Sequence, residues 1–402
     1  MNMLIIGNGF DLAHDRPTTY VDFLKFAEQI LRTKTYHSTK HQFEATMPDL
    51  HTDVRKYILS AFETRMYSGY EVTHNSNPII QELYDCLEEN IWYEYFQVIV
   101  REDKIRGKNW IDFESEIQEI IKYFDEKFDD LYEPFIIPAQ ERGTLSSKIR
   151  SFYLKLKFTK FNAEKCRAED YKPTCSDFIE KTYQDLERLV RCLEIYLDDC
   201  VGKIPVICCS PDIQGVKIDS ILSFNYTAIP TDIYPSLTNT HYIHGRAKAN
   251  RPAAENDMVL GVNEYWEGDD KNTHTNFNLY KKFVQRIIKE TGINYKSTLK
   301  EMASLYERGK QLQAGTNGYF KAHCNNYVYI FGHSLDITDG DTLREIIRAE
   351  GVATTIFYKD KQQQANQIAN LSKVLGQDEL LDRTFSISPT IIFKKQEDMK
   401  KL

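Results

Sequence analysis

No stretch of about 18 apolar residues occurs in this chain, so nothing in it reads as a membrane-spanning helix. No basic segment leads into a cleavable apolar one; the first residues run straight into a strand, and the expectation is a cytoplasmic protein. None of the eight cysteines (86, 166, 175, 192, 200, 208, 209 and 324) stands in a C-x-x-C pair. That spacing excludes a locally spelled zinc ribbon or thioredoxin-type site and leaves them as buried thiols. Basic residues are not in excess either. With 51 Lys and Arg against 59 Asp and Glu, the net charge of −8 repels a polyanion on average, so non-specific nucleic-acid binding is not expected. There is no internal repeat and no low-complexity tail.

What is present begins at the first strand. Met3 to Ile6 form a continuous apolar run, as a strand buried on both faces does, and the run ends in Gly7-Asn8-Gly9-Phe10-Asp11. A turn there lies at the carboxyl edge of a parallel sheet, where ligands bind, and Gly7 and Gly9 would let backbone N–H groups approach a pyrophosphate. The alternative is a glycine turn that only links a core strand to its helix. A full dinucleotide fingerprint is missing, because its third glycine would fall at Leu12 and no second strand ending in an acid follows. An ordinary dehydrogenase is disfavoured.

The chain's 402 residues, 42% of them hydrophobic, suffice for one large domain or two. A helix is predicted from the Pro17-Thr18-Thr19-Tyr20 segment to about Leu31. From about 36 to 200 the apolar residues recur at helical spacing, as in Ile80, Leu83, Tyr84, Leu87 and Ile91. Met66–Pro78 and Ala163–Ser176 read as loops of this block. Strand-like runs return at Ile204–Cys209, Ser220–Phe224, His241–Ile243, Met258–Leu260, Tyr327–Phe331, Ala353–Tyr358 and Thr390–Phe393, with helices such as Asp341–Glu350 and Gln362–Leu375 between them. The predicted fold is α/β: a mostly parallel, Rossmann-like sheet with a large helical insertion after the first βα unit. The expected divisions are 1–35, the first βα unit; 36–202, the insertion; and 203–402, the remainder of the nucleotide-binding domain.

Three further polar clusters end strands. In Phe224-Asn225-Tyr226-Thr227 the amide can hold a ribose hydroxyl or an attacking water, or else bond its own turn. His244, before Gly245, suits a general base near neutral pH. Phe331-Gly332-His333-Ser334-Leu335-Asp336 precedes a helix expected near Asp339. It is not a nucleophile elbow, since Asp336 stands where that motif needs glycine and no histidine follows His333. Gly332, His333 and Ser334 are expected to touch ribose or phosphate, with Asp339 and Asp341 as helix caps. Asp11, Asp336 and Asp339 are alternative Mg²⁺ ligands for a nuclease or nucleotide hydrolase. Glu114, in Trp110-Ile111-Asp112-Phe113-Glu114, either reaches a cleft or complements a helix dipole. His37 and His41 read as a surface pair rather than a metal site. The aromatic and basic stretch Phe152–Phe161, within Lys148–Lys165, is a solvated face before it is a nucleic-acid patch, and helix or strand stays open.

These clusters, in this order, resemble the bacterial abortive-infection family AbiH, with Leu4 to His14, Pro17 to Tyr20, Trp110 to Glu114, Phe224 to Thr227, Ile243 to Gly245 and Phe331 to Asp336 as its signatures. Asp15-Arg16 departs from the family's usual glycine and apolar residue before the proline. The resemblance implies defence against phage by killing or arresting the infected cell. More remotely, the order is similar to that of sirtuin-like defence proteins, whose activity is NAD⁺ cleavage. That resemblance implies Asn225 and His244 as catalytic residues and a pocket from Gly7, Asn8, Gly9, Phe10, Asp11, Tyr226, Gly332, His333 and Ser334. Asn8 replaces the small residue usual between the glycines, and the four-cysteine zinc module of deacylating sirtuins has no counterpart. NAD⁺ is then a substrate, without a metal. A phage-derived trigger and a second copy of the chain are the further partners implied. The alternative is a nucleotide-binding sensor or interaction module that cleaves nothing.

Overall fold

Along the first strand the side chains alternate between two apolar layers: Met3 and Ile5 enter one, Leu4 and Ile6 the other. Burial on both faces is why the run carries no polar residue. The computed structural model describes residues 1–34, 44–47, 49–67, 70–75, 77–105, 111–127, 145–158, 174–228, 234, 239–315 and 326–402. Its strands are β1 (Asn2–Ile6), β2 (Phe62–Tyr67), β3 (Tyr70–Asn75), β4 (Cys208–Cys209), β5 (Ser220–Ser223), β6 (Thr240–Tyr242), β7 (Asn326–Phe331), β8 (Val352–Tyr358), β9 (Ile391–Lys395) and β10 (Lys400–Lys401). The chain divides into two compact units, one of Met1–Arg16, Ile204–Arg246 and Glu290–Leu402, the other of Pro17–Lys203 and Ala247–Lys289.

The first unit holds a six-stranded sheet in the order β6-β5-β1-β7-β8-β9, every pair parallel. Counting these six strands in chain order, the sheet runs 3-2-1-4-5-6, the order of a doubly wound nucleotide-binding sheet. That order reverses beside β1, where β7 returns to pair with it in the register Asn2 to Tyr327 through Ile6 to Phe331. One apolar layer carries the helices Tyr295–Gly315, Gly340–Ile347 and Lys361–Leu375, through Met302, Leu343, Ile346, Leu371 and Val374; the other carries Phe10, Ile213 and Tyr234.

The second unit is mainly helical. The helix Tyr20–Thr33 opens on a capping box from Thr19 and Asp22, and Cys175–Ile195 on one from Thr174 and Asp177. The expected loop Met66–Pro78 is instead largely strand, because β2 and β3 pair antiparallel from Phe62 with Asn75 to Tyr67 with Tyr70. Ser68-Gly69 between two strand-forming runs was the signal for a hairpin. Met258–Leu260 is buried but forms no strand. Side chains satisfy its backbone where a ladder would: Met258 N–H donates to Asn256 Oδ1 at 2.7 Å, and Lys289 Nζ donates to Met258 O at 2.7 Å. Within Ile204–Cys209 only Cys208 and Cys209 pair, antiparallel with β10 and outside the main sheet. Phe152–Phe158 belongs to the helix Ser147–Phe158. Residues 159–165, Trp110, His37 and His41 lie outside the described residues. Among the described residues no helix is long and apolar enough to cross a membrane.

Candidate functional site

β1 and β7 end side by side, and the turns that follow them meet backbone to backbone. Gly7 N–H donates to Phe331 O at 3.2 Å and Gly9 N–H to Gly332 O at 2.8 Å. A Cβ on Gly9 would lie 2.8 Å from Gly332 Cα, and one on Gly332, whose φ is +67°, would lie 2.1 Å from Phe10 N. Close backbone approach therefore accounts for both glycines without a ligand, and it occupies the two amide hydrogens that the phosphate expectation had aimed outward. Phe10 is fully buried, its ring 5.9 Å from that of Phe331 and 4.4 Å from that of His14, so it belongs to the apolar layer. Asn8 is exposed at the same turn.

The short helix Asn8–Ala13 turns Asp11 inward, where it is 1% exposed. The turn after β5 comes to meet it. Thr227 Oγ1 donates to Asp11 Oδ2 at 2.6 Å, and Asn225 Nδ2 donates to Gly7 O at 3.0 Å. Burial pushes the Asp11 carboxyl up to about 7, against the hydrogen bond from Thr227, the nearby Asn225 amide and the positive charge of Arg16, all of which favour its ionised form. His14, which caps the end of that helix, has Nδ1 at 2.7 Å from Phe10 O and is held below its ordinary value, mainly by burial. Tyr226, beside Asn225, is half-buried.

His244 follows β6, just before Gly245, whose φ of +77° turns the chain sharply. Its Nε2 lies 3.1 Å from Asp339 Oδ1, while Nε2 of His333 lies 3.5 Å from Asp339 Oδ2. One carboxylate thus faces two buried imidazoles. Leu335 N–H donates to His333 Nδ1 at 2.9 Å, so the neutral His333 ring carries its proton on Nε2, toward Asp339. Leu335 makes that bond at φ +59°, a left-handed conformation uncommon for leucine. The ring of Phe224 stands edge-on to both imidazoles, at 4.4 Å from His333 and 5.5 Å from His244. Ser334 is exposed and its carbonyl accepts from Asn370 Nδ2 at 3.0 Å.

All four strand-end clusters therefore lie at the carboxyl edge of one sheet. Asn225 reaches Gly7, the Gly7 turn packs on His333, and Asp339 joins His333 to His244. Two roles escaped sequence reasoning: Asp339 as the acid between the imidazoles, and Thr227 as the donor to Asp11. The first had a signal, an acid six positions after His333 in the same strand-turn-helix; the second had none beyond its motif. The three acids weighed as Mg²⁺ ligands have different partners, since Asp336 accepts from Thr338 N–H at 3.0 Å, and among the described residues no group of three His, Cys, Asp or Glu side chains is placed to hold a metal ion. Glu114 is paired in the second unit with Lys282 Nζ at 2.7 Å.

The sequence model of the bacteriophage abortive infection family AbiH matches residues 3–360, a span that includes every element of this edge. No curated protein and no solved structure matches the chain.

Proposed function

This chain belongs to the bacteriophage abortive infection family AbiH, and from that premise we propose that it acts in phage defence by hydrolysing NAD⁺ at the bond between nicotinamide and ribose. The observation that carries the reading is the pair of imidazoles held on Asp339, linked to Asn225 through the Gly7 turn, at the carboxyl edge of a doubly wound sheet. Nicotinamide is cationic in NAD⁺ and leaves neutral, so the reaction calls for no metal and no strong acid. It calls for an oriented ribose, a base and a dry surround. His244, aligned by Asp339, takes up a proton from a ribose hydroxyl; Asn225 orients ribose or water. Asn8, Tyr226 and Ser334 flank the edge as nucleotide contacts. A phage product triggers the activity, and the chain self-associates.

A second reading is a sensor that binds a nucleotide without cleaving it. It is favoured by the internal bonds of the Asn225 amide and of the Gly7 and Gly9 amides, which serve the fold before any ligand arrives.

The test is to incubate purified full-length protein with NAD⁺, alone and with phage lysate, and follow nicotinamide release. His244→Ala is expected to lower the rate about 10²- to 10⁴-fold, the contribution of a positioned proton carrier, and Asn225→Ala, which loses the group that orients ribose or water, by about the same order. Wild-type rates in both variants would dismiss these residues. Tight NAD⁺ binding with no nicotinamide released would select the sensor.

A further inference from the structure

We propose that Asp11 is the general base of this cleavage, taking the proton of the attacking water on Oδ1 while Thr227 fixes Oδ2; the inference rests on the reading of NAD⁺ hydrolysis above. Oδ2 accepts from Thr227 Oγ1 at 2.6 Å, whereas Oδ1 is buried and has no hydrogen-bond partner among the described residues. A carboxyl oxygen shut away from water without a donor is disfavoured, and a water bound at Oδ1 supplies the missing donor. Position strengthens the case. Asp11 sits on the short helix that follows the central strand, and the turn that bears Thr227 also bears Asn225.

Protons and bonds balance in this scheme. The C1′–N bond breaks and its electron pair leaves on nicotinamide; the water oxygen bonds to C1′, and the water proton passes to Asp11. ADP-ribose and nicotinamide depart, and Asp11 returns the proton to solvent. His244 is left to the ribose hydroxyl, taking its proton as the C1′–N bond breaks and giving it back to the same oxygen before ADP-ribose departs, so the two proton carriers have separate tasks. Only the ionised carboxylate accepts a proton, and its burial puts that ionisation close to neutrality, at about pH 7. The charged group acting on it is Arg16, whose own N–H donates to Asp11 O at 3.0 Å; Asn225 and Thr227 face it from the turn after β5. His14, at the end of its helix, is engaged with Phe10 O, and His333, on the turn after β7, has its Nε2 toward Asp339.

The test is the pH profile of kcat/KM for nicotinamide release from NAD⁺ between pH 5 and 9, with the wild type, Asp11→Asn and Thr227→Val, each checked for cooperative melting. The wild-type rate is expected to rise through about pH 7. Asp11→Asn should fall about 10²- to 10⁴-fold and lose that rise. Thr227→Val should keep a rising limb but shift it to higher pH, because the hydroxyl it lacks favours the ionised carboxyl; a purely structural Thr227 would leave the limb in place. A rising limb and wild-type rate in Asp11→Asn overturn the role of Asp11 and leave NAD⁺ cleavage standing. If Asp11→Asn fails to melt cooperatively, Thr227→Val decides, and an unmoved limb overturns the role. A wild-type chain that releases no nicotinamide, with or without phage lysate, overturns cleavage and base together.

Discussion

Glu194 in the helical unit and Asp11 in the sheet unit are both closed to solvent, at 0% and 1% exposed, yet their surroundings differ in kind. Glu194 accepts hydrogen bonds on both oxygens: on Oε2 from Arg191 Nη1 and Asn256 Nδ2, both at 2.7 Å, and on Oε1 from Arg251 Nε at 2.7 Å and Lys248 N–H at 3.1 Å, with Arg251 Nη2 also 2.6 Å from Oε1. Arg191 continues to Glu82 and to Ala249 O. This network ties the segment after Ala247 to the helix Cys175–Ile195, joining two stretches of chain that the sequence separates. Asp11 has the Thr227 hydroxyl on Oδ2, the Arg16 charge nearby and, among the described residues, no donor on Oδ1. A buried acid with every lone pair engaged holds a fold together. One left short of donors is kept for something else, because the fold alone would gain by completing or removing it.

The sharpest way to break this contrast is Glu194→Gln. The amide keeps the volume but removes the charge opposite two guanidinium groups and puts a donor where acceptors were. Breaking a buried charge network in this way is expected to lower stability by about 3–5 kcal/mol. Urea unfolding measures it, and a midpoint equal to that of the wild type would mean that the network is ornamental and the contrast false.

Asp11→Asn should act in the opposite direction, and with a pH dependence. The carboxyl's pKa is raised from 3.8 to about 7 in the folded protein, so between those values the folded chain keeps a proton that the unfolded chain has released. The stability owed to Asp11 is therefore present at low pH, declines as pH rises across that window, and is level above it. A shift of this size corresponds to about 4 kcal/mol, an upper bound on the part that titrates. Asparagine does not titrate. The stability of Asp11→Asn relative to the wild type should accordingly increase between pH 4.5 and pH 8 in urea titrations, while activity is lost. An equal difference at both values would show that Asp11 ionises as freely in the folded state as in the unfolded one.

Much of the sheet could be read from the residues alone, because an apolar run closed by glycine has few other uses. Met3–Ile6, Ser220–Ser223 and Tyr327–Phe331 all pair as expected. Met258–Leu260 shows the limit. Burial without a neighbouring strand selects the same side chains as burial within a sheet, and only the partners of its backbone, Asn256 and Lys289, tell the two apart. Strand order was out of reach too, since Ile6 and Phe331 become neighbours through connections hundreds of residues long. At the edge, Asn225, His244 and His333 were visible as polar residues ending strands. Asp339 was visible only as an acid near a helix start, where capping, metal binding and imidazole pairing make the same demand on sequence. What raises the Asp11 carboxyl is burial, which no local motif states.

The smallest expected effect concerns a third acid. Asp336 and Asp339 bracket one short helical turn, Ile337–Asp339, but Asp336 caps it, accepting from Thr338 N–H, whereas Asp339 faces His244 and His333. Asp336→Ala removes a cap from a turn at the surface and should lower stability by about 1 kcal/mol. The imidazole pair does not depend on that hydrogen bond, so nicotinamide release should continue at close to the wild-type rate. Asp339→Asn, which keeps the shape and loses the charge facing both rings, should instead lower the rate with little change in the urea midpoint. Equal loss of activity in the two variants would mean that the turn is needed as a whole, and that Asp339 orients the imidazoles no more than its neighbour does.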